Sequence, residues 1–274
     1  MLRAPARQHW QAPTAAEAPL IPIRALLKAL PNTLLMGAMQ PLPACTPGQP
    51  QLDSLWQQAR WQGLAQGFDA AQQGALGTVL QGLMGQPAEP SAPRPIQGRH
   101  WRQIQTSGSE PALLLFCPLP AHLQPTGRLL AHLLQGPVYQ RLRVELQLGY
   151  AVFSAFRQIE GHGGLLFGVQ SPHASHAQIL GHLLELLSRG VALEAAARAQ
   201  LAKQFDEAAM SNADVAQWAW QAHMATHNPD LSRMRRSILN VEQVQLDELL
   251  QQLIDARHGW LCLANAVAPD AKWR

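Results

Sequence analysis

Cysteine is scarce in this chain. Three occur in 274 residues, Cys45, Cys117 and Cys262, set far apart and partly in apolar wording such as LLLFCPL and WLCLANAV. An odd count without CxxC spacing excludes a disulfide scaffold and a cysteine metal knuckle, and points to buried thiols in a reducing compartment. Charge is sparse too: charged residues make up 14% and the formal net charge is +3. The arginines are scattered, and only Arg233, Arg235 and Arg236 cluster, so the dense basic stripe of a nucleic-acid groove is missing. No apolar run approaches the roughly 20 residues of a membrane helix. The opening MLRAPARQHWQAPTAAEAP has two early arginines but no continuous apolar segment of the kind a secretory leader carries. The expectation is a cytoplasmic protein without nucleic-acid or membrane partners. Phosphate cradles are absent as well. GHGG lies between two strand-like runs, and the spaced glycines of WQGLAQGF are not followed by Lys-Ser/Thr.

Hydrophobic residues, by contrast, reach 47%, enough for one large or two modest cores. Prolines divide the chain. Residues 1–22 read as an irregular lead-in. A helical stretch over 23–30 is followed by NTLLMGAM at 32–39, which reads as a buried strand, and a long helical pattern runs from Gln51 towards Leu83. QPAEPSAPRP at 86–95 holds four prolines in ten residues and marks a linker, placed at 87–93. Beyond it, strands are expected at 96–105 and 112–118, a helix from about Thr126, and an interruption at Pro137. A hairpin of 150–159 and 165–170 follows. Ser171-Pro172 is then the expected start of a helix, with further helices near 192–209, 213–227 and 242–257 and a returning strand at 260–267. This is an α+β layout, with helices on one face of a mostly antiparallel sheet.

One stretch is specific. VYQRLRVELQLGYAVFSAFRQ at 138–158, followed by GLLFGVQS at 164–171, resembles the C-terminal half of the M16 (insulysin/pitrilysin-like) metallopeptidases. There an LR-x-x-x-QLGY-x-VFS motif begins the last of four related α+β domains. Here it stands as Leu142, Arg143, Gln147, Leu148, Gly149, Tyr150, Val152, Phe153 and Ser154. The resemblance implies that 94–274 is a fourth domain and 23–86 the end of a third. The wording LLLFCPLPA and GVQSPHASHAQILGHLL is most like the branch of the family that serves PQQ biosynthesis.

In that family the N-terminal half holds zinc through HxxEH and a downstream glutamate, while the C-terminal half closes a chamber over the peptide. An arginine and a tyrosine seven residues apart reach the scissile bond from the closing side, and they match Arg143 and Tyr150. Guanidinium and phenol can both donate to a carbonyl oxygen that is becoming an oxyanion. The residues themselves also allow a solvated helix arginine and a tyrosine at the rim of the core, and Val144, Glu145 and Leu146 depart from the polar residues usual at those positions. The implied partners are a zinc-bearing N-terminal half and a peptide, the PQQ precursor or its intermediates. A peptide-binding or assembly subunit without catalysis is the alternative.

A zinc site of its own is not expected, nor is peptidase activity from the chain alone. HMATH places His223 and His227 on one helical face, but Thr226 stands where the base glutamate belongs. His173, His176 and His182 have spacings that do not converge on one ion, and His132 stands alone in RLLAH.

Overall fold

The computed structural model describes residues 20–36, 56–90, 92–226 and 230–274. The chain forms two compact units, one of residues 1–19 and 41–89 and the other of 20–40 and 90–274.

Within the first unit the described part is small. Strand β1 (Arg60–Trp61) runs parallel to β2 (Gln86–Pro87). Helix α2 (Ala70–Gln81) starts at a reciprocal cap, in which Asp69 accepts from the Gln72 N–H and Gln72 accepts from the Asp69 N–H. The expected long helix from Gln51 is therefore broken; its glycines at 63 and 67 fall in the irregular stretch between β1 and α2, and its residues 51–55 lie outside the described ones.

The second unit is built on a five-stranded sheet of order β3-β7-β4-β6-β5. The strands are β3 (Arg99–Gln103), β4 (Ala112–Pro118), β5 (Ala151–Ile159), β6 (His162–Gln170) and β7 (Trp260–Ala264). Pairing is antiparallel except between β3 and β7, which run parallel. Strand β4 is ALLLFCP, buried at every position, and this continuous apolar run is what a central strand covered on both faces needs. Leu113, Leu115 and Cys117 point into the main core; Ala112, Leu114 and Phe116 point the opposite way.

Helix α3 (Gln124–Val138) lies across the main face, burying Leu129, Leu130, Leu133 and Leu134. Around it pack α4 (His176–Ser188), α5 (Ala195–Lys203), α7 (Leu231–Leu239) and α8 (Gln243–Ile254) through Leu183, Leu201, Ile238 and Leu249. Helix α6 (Asn212–Met224) joins this layer with Trp218. The opposite face is covered by α1 (Pro22–Met36), whose Ile23, Leu26 and Leu30 follow helical spacing and meet Leu114, Phe116, Leu166, Leu261 and Leu263.

Several expectations need correction. Residues 32–36 continue α1 through Pro31 instead of forming a strand, because Ile23, Leu26 and Leu30 hold the helix to the sheet. That helix groups by contact with residues 90–274. Helices thus lie on both faces of the sheet. Ser175, not Ser171, caps the helix after the hairpin, exchanging hydrogen bonds with Gln178. The Ser171 hydroxyl instead accepts from the His173 and Ala174 N–H groups in a preceding turn. Pro137 does not interrupt α3, which runs on into a wider turn.

Candidate peptide-facing site

That wider turn builds the site. Tyr139–Glu145 is π-helical, a local widening that often lies at functional positions. Leu146 N–H donates to the Arg141 carbonyl at 3.0 Å, and Leu148 N–H to the Leu142 carbonyl at 2.9 Å. Leu142 and Leu148, both buried, pin the two ends of the turn into the core. Between them Gln147 takes a left-handed φ of +50°, so the chain reverses and then enters β5.

Gly149 makes the re-entry possible. Its φ is +154°, and a Cβ there would collide with the backbone carbonyl of Gln170, the last residue of β6. Only a residue without Cβ fits this approach.

The reversal brings Arg143 and Tyr150 together. Arg143 Nη1 donates to the Gly149 carbonyl at 2.8 Å, and its guanidinium carbon lies 4.8 Å from the centre of the Tyr150 ring. The Tyr139 ring centre is 5.8 Å from the same carbon. The guanidinium is thus held by two aromatic rings and one carbonyl, and among the described residues its other N–H groups have no acceptor. Tyr150 is 92% exposed. A phenol so exposed contributes almost nothing to the core, and its hydroxyl is open to a carbonyl oxygen. The departures at Val144 and Glu145 are solvent-facing, and Leu146 is half-buried. Glu145 accepts from Arg141 at 3.0 Å. The sequence singles out Arg143 and Tyr150 but not Tyr139, whose place beside the guanidinium shows only once the turn is folded.

Among the described residues the histidines do not assemble. His176 Nε2 lies 2.8 Å from Asn265 Oδ1 and its ring meets Trp101 edge-on. His182 faces Glu185 at 3.7 Å on its own helix. His223 packs against Trp220, with ring centres 5.7 Å apart, while His227 lies outside the described residues. Among the described residues no three His, Cys, Asp or Glu side chains are grouped to hold a metal. These donors are dispersed or already engaged, so they do not fit the zinc site of the resemblance. Burial pushes the Cys117 and Cys262 thiols up, which keeps both protonated and unreactive.

Comparison with known proteins agrees with the geometry. Residues 129–220 match the family model for PQQ synthase PqqF-like proteins, C-terminal lobe domain 4. Over those residues the chain is similar to a PqqF-like C-terminal lobe. It is 59% identical over its whole length to coenzyme PQQ synthesis protein F of Pseudomonas putida, covering 36% of that protein. To the protein of the same name from Pseudomonas syringae pv. tomato it is 43% identical over 93% of the chain and 34% of the relative. The chain thus spans about a third of the length of these relatives. Its fold matches pitrilysin (TM-score 0.53, 16% identity, 66% of this chain and 22% of that one). It also matches a peptidase M16 inactive domain from Pseudomonas fluorescens (TM-score 0.55, 13% identity, 82% of this chain and 60% of that one).

Proposed function

We propose that this chain is the non-catalytic C-terminal part of a zinc metalloendopeptidase of the PQQ-biosynthesis type. It closes the chamber over a peptide and orients the scissile bond for hydrolysis by a zinc-bearing N-terminal half. Residues 94–274 are its fourth domain, 87–93 the linker and 23–86 the remainder of a third, and the enzyme is cytoplasmic. The substrate is the PQQ precursor peptide or its intermediates.

The observation that carries this reading is the paired presentation of Arg143 and Tyr150. A cation and a phenol, 4.8 Å apart from guanidinium carbon to ring centre, are held on a pinned turn with the phenol exposed. Arg143 donates charge-assisted hydrogen bonds to the reacting carbonyl oxygen, and Tyr150 supplies a second donor as negative charge develops there. The N-terminal half would hold the zinc, which would supply activation of the attacking water. This chain positions and polarises the peptide.

The test combines the chain with a zinc-bearing N-terminal half and follows peptide cleavage. Tyr150→Phe removes one donor and keeps the ring, so turnover should fall about 100-fold with little change in stability. Arg143→Lys keeps the charge but loses the planar fork, and should also be impaired. Wild-type turnover from Tyr150→Phe would reduce that residue to packing. Equal indifference at Arg143 would favour the assembly-subunit reading.

A further inference from the structure

A second arginine is placed very differently. Arg128, on α3, has its guanidinium carbon 4.2 Å from the Phe156 ring centre, 5.2 Å from Trp218 and 5.5 Å from Phe205. These rings come from β5, α6 and the end of α5. Nη2 donates to Gln158 Oε1 at 3.2 Å, but Nε is sealed from solvent and has no acceptor. No carboxylate among the described residues pairs with this cation. Burial alone lowers its proton affinity, to a pKa of about 10. Ring faces attract the charge but offer no lone pair to an N–H in the guanidinium plane.

The indole Nε1–H of Trp218 is a second sealed donor without an acceptor. Trp218 and Phe205, whose ring centres are 5.4 Å apart, are also the inner wall of a cavity of about 410 Å³ between α5 and α6. Lys203, Gln204, Gln217 and Gln221 also line it, with Asp214, whose carboxylate is engaged by the Ser211 hydroxyl at 2.6 Å. Trp218 thus belongs to both places: its ring is part of the cavity wall, and the Arg128 guanidinium, which is not itself in the lining, lies against that ring and that of Phe205.

We propose that this cavity is a carboxylate-binding site, in which the anion accepts from the Trp218 indole N–H and is neutralised by Arg128. A carboxylate supplies what is missing: one negative charge and two oxygens with in-plane lone pairs. The half-buried Trp218 ring borders the open space, so a change of its side-chain torsions admits the oxygens. Cavity size and amide-rich walls suit a peptide acid, either an acidic side chain or a free C-terminal carboxylate. This site is independent of Arg143 and Tyr150 and of the peptidase reading.

The experiment is nitrogen-15 NMR of the full chain, with the Trp218 indole signal assigned by its loss in Trp218→Phe. N-acetylglutamate amide presents a side-chain carboxylate, N-acetylglycine presents a C-terminal one, and N-acetylglutamine amide is the neutral control. One or both acids should move the Trp218 indole proton downfield to saturation, and which acid does so identifies the source. The neutral amide should bind at least tenfold more weakly. Arg128→Met, which keeps an unbranched apolar stem, should abolish the response. If that variant does not fold, the Trp218→Phe protein, which keeps a ring but no N–H, should show about tenfold weaker acid binding through the remaining signals. No saturating shift, an equal response to the neutral amide, or an undiminished response without Arg128 or the indole N–H would overturn the proposal.

Discussion

Replacing Gly149 by alanine tests the geometry that holds Arg143 and Tyr150 together. The added Cβ would meet the Gln170 carbonyl, and that backbone cannot easily retreat. Gln170 is paired with Ala112 on one side and Ala151 on the other. Holding a non-glycine residue at such a φ costs about 1–3 kcal/mol, and overpacking against fixed backbone costs about 1–3 kcal/mol more. If the turn shifts instead, the Arg143–Gly149 hydrogen bond is lost, at about 1.5–3 kcal/mol for a charged donor. Either route predicts a loss of at least about 1.5 kcal/mol, a large share of a typical total of about 5–15 kcal/mol. With a urea slope of about 2 kcal/mol/M, the midpoint should fall by about 0.75 M or more. Urea unfolding followed by circular dichroism measures this, with Gly181→Ala as control. Gly181 lies inside α4, and a Cβ there meets nothing within 4 Å, so that variant should gain about 0.5–1 kcal/mol. A loss at Gly149 smaller than about 1 kcal/mol, on the same scale as the control, would refute the strained re-entry.

Two further outcomes are expected. Ser175→Ala removes one side of the capping box at the start of α4 and should cost about 1 kcal/mol in the same assay, whereas Ser171→Ala should not act through that helix. Burial lowers the pKa of His162 below its ordinary 6.5, and burial with Arg257 and His122 nearby lowers that of His258. The unfolded chain therefore binds protons first. The stability these neutral rings contribute is fully present above pH 6.5 and is lost as the pH falls through their lowered folded values. Unfolding midpoints should decline below about pH 6.5, and less steeply in His162→Gln; a flat profile would show that His162 is solvated in the folded state.

Much of the second unit was legible in the sequence because its strands are short apolar runs bounded by turns. Residues 112–118 were placed in full, and 260–264 sit inside the expected strand at 260–267. The parallel pairing of β3 with β7 was not legible, since period-2 patterning does not name a partner. Helix α1 was misread beyond residue 30 because Pro31 resembles punctuation. Only contact with the sheet shows that Ile23, Leu26 and Leu30 keep the helix going. Helix α7 was missed for a related reason: among Arg233, Arg235 and Arg236 its apolar stripe is reduced to Leu231, Met234 and Ile238. What His176 and His223 pack against was not legible, since it depends on Asn265, Trp101 and Trp220. Arg128 left no linear trace at all, since its aromatic neighbours come from positions 156, 205 and 218.

The same distinction explains why Arg143 and Tyr150 form a pair. On a regular α-helix, residues seven apart are two turns, about 10 Å, apart along the axis. Here the chain leaves the helix between them, and the Arg143 guanidinium carbon lies 4.8 Å from the Tyr150 ring centre. Three things achieve it: the π-helical turn, the reversal at Gln147, and the close approach of Gly149 to Gln170. Each depends on Leu142 and Leu148 being seated in the core beneath them. The linear motif therefore encodes two kinds of information at once. Its polar members present hydrogen-bond donors outward, and its Leu, Gly and Leu members bend the chain until those donors meet. Substitutions at Leu148 or Gly149 would silence the pair without touching its chemistry, by letting the turn straighten and carrying Tyr150 away from Arg143.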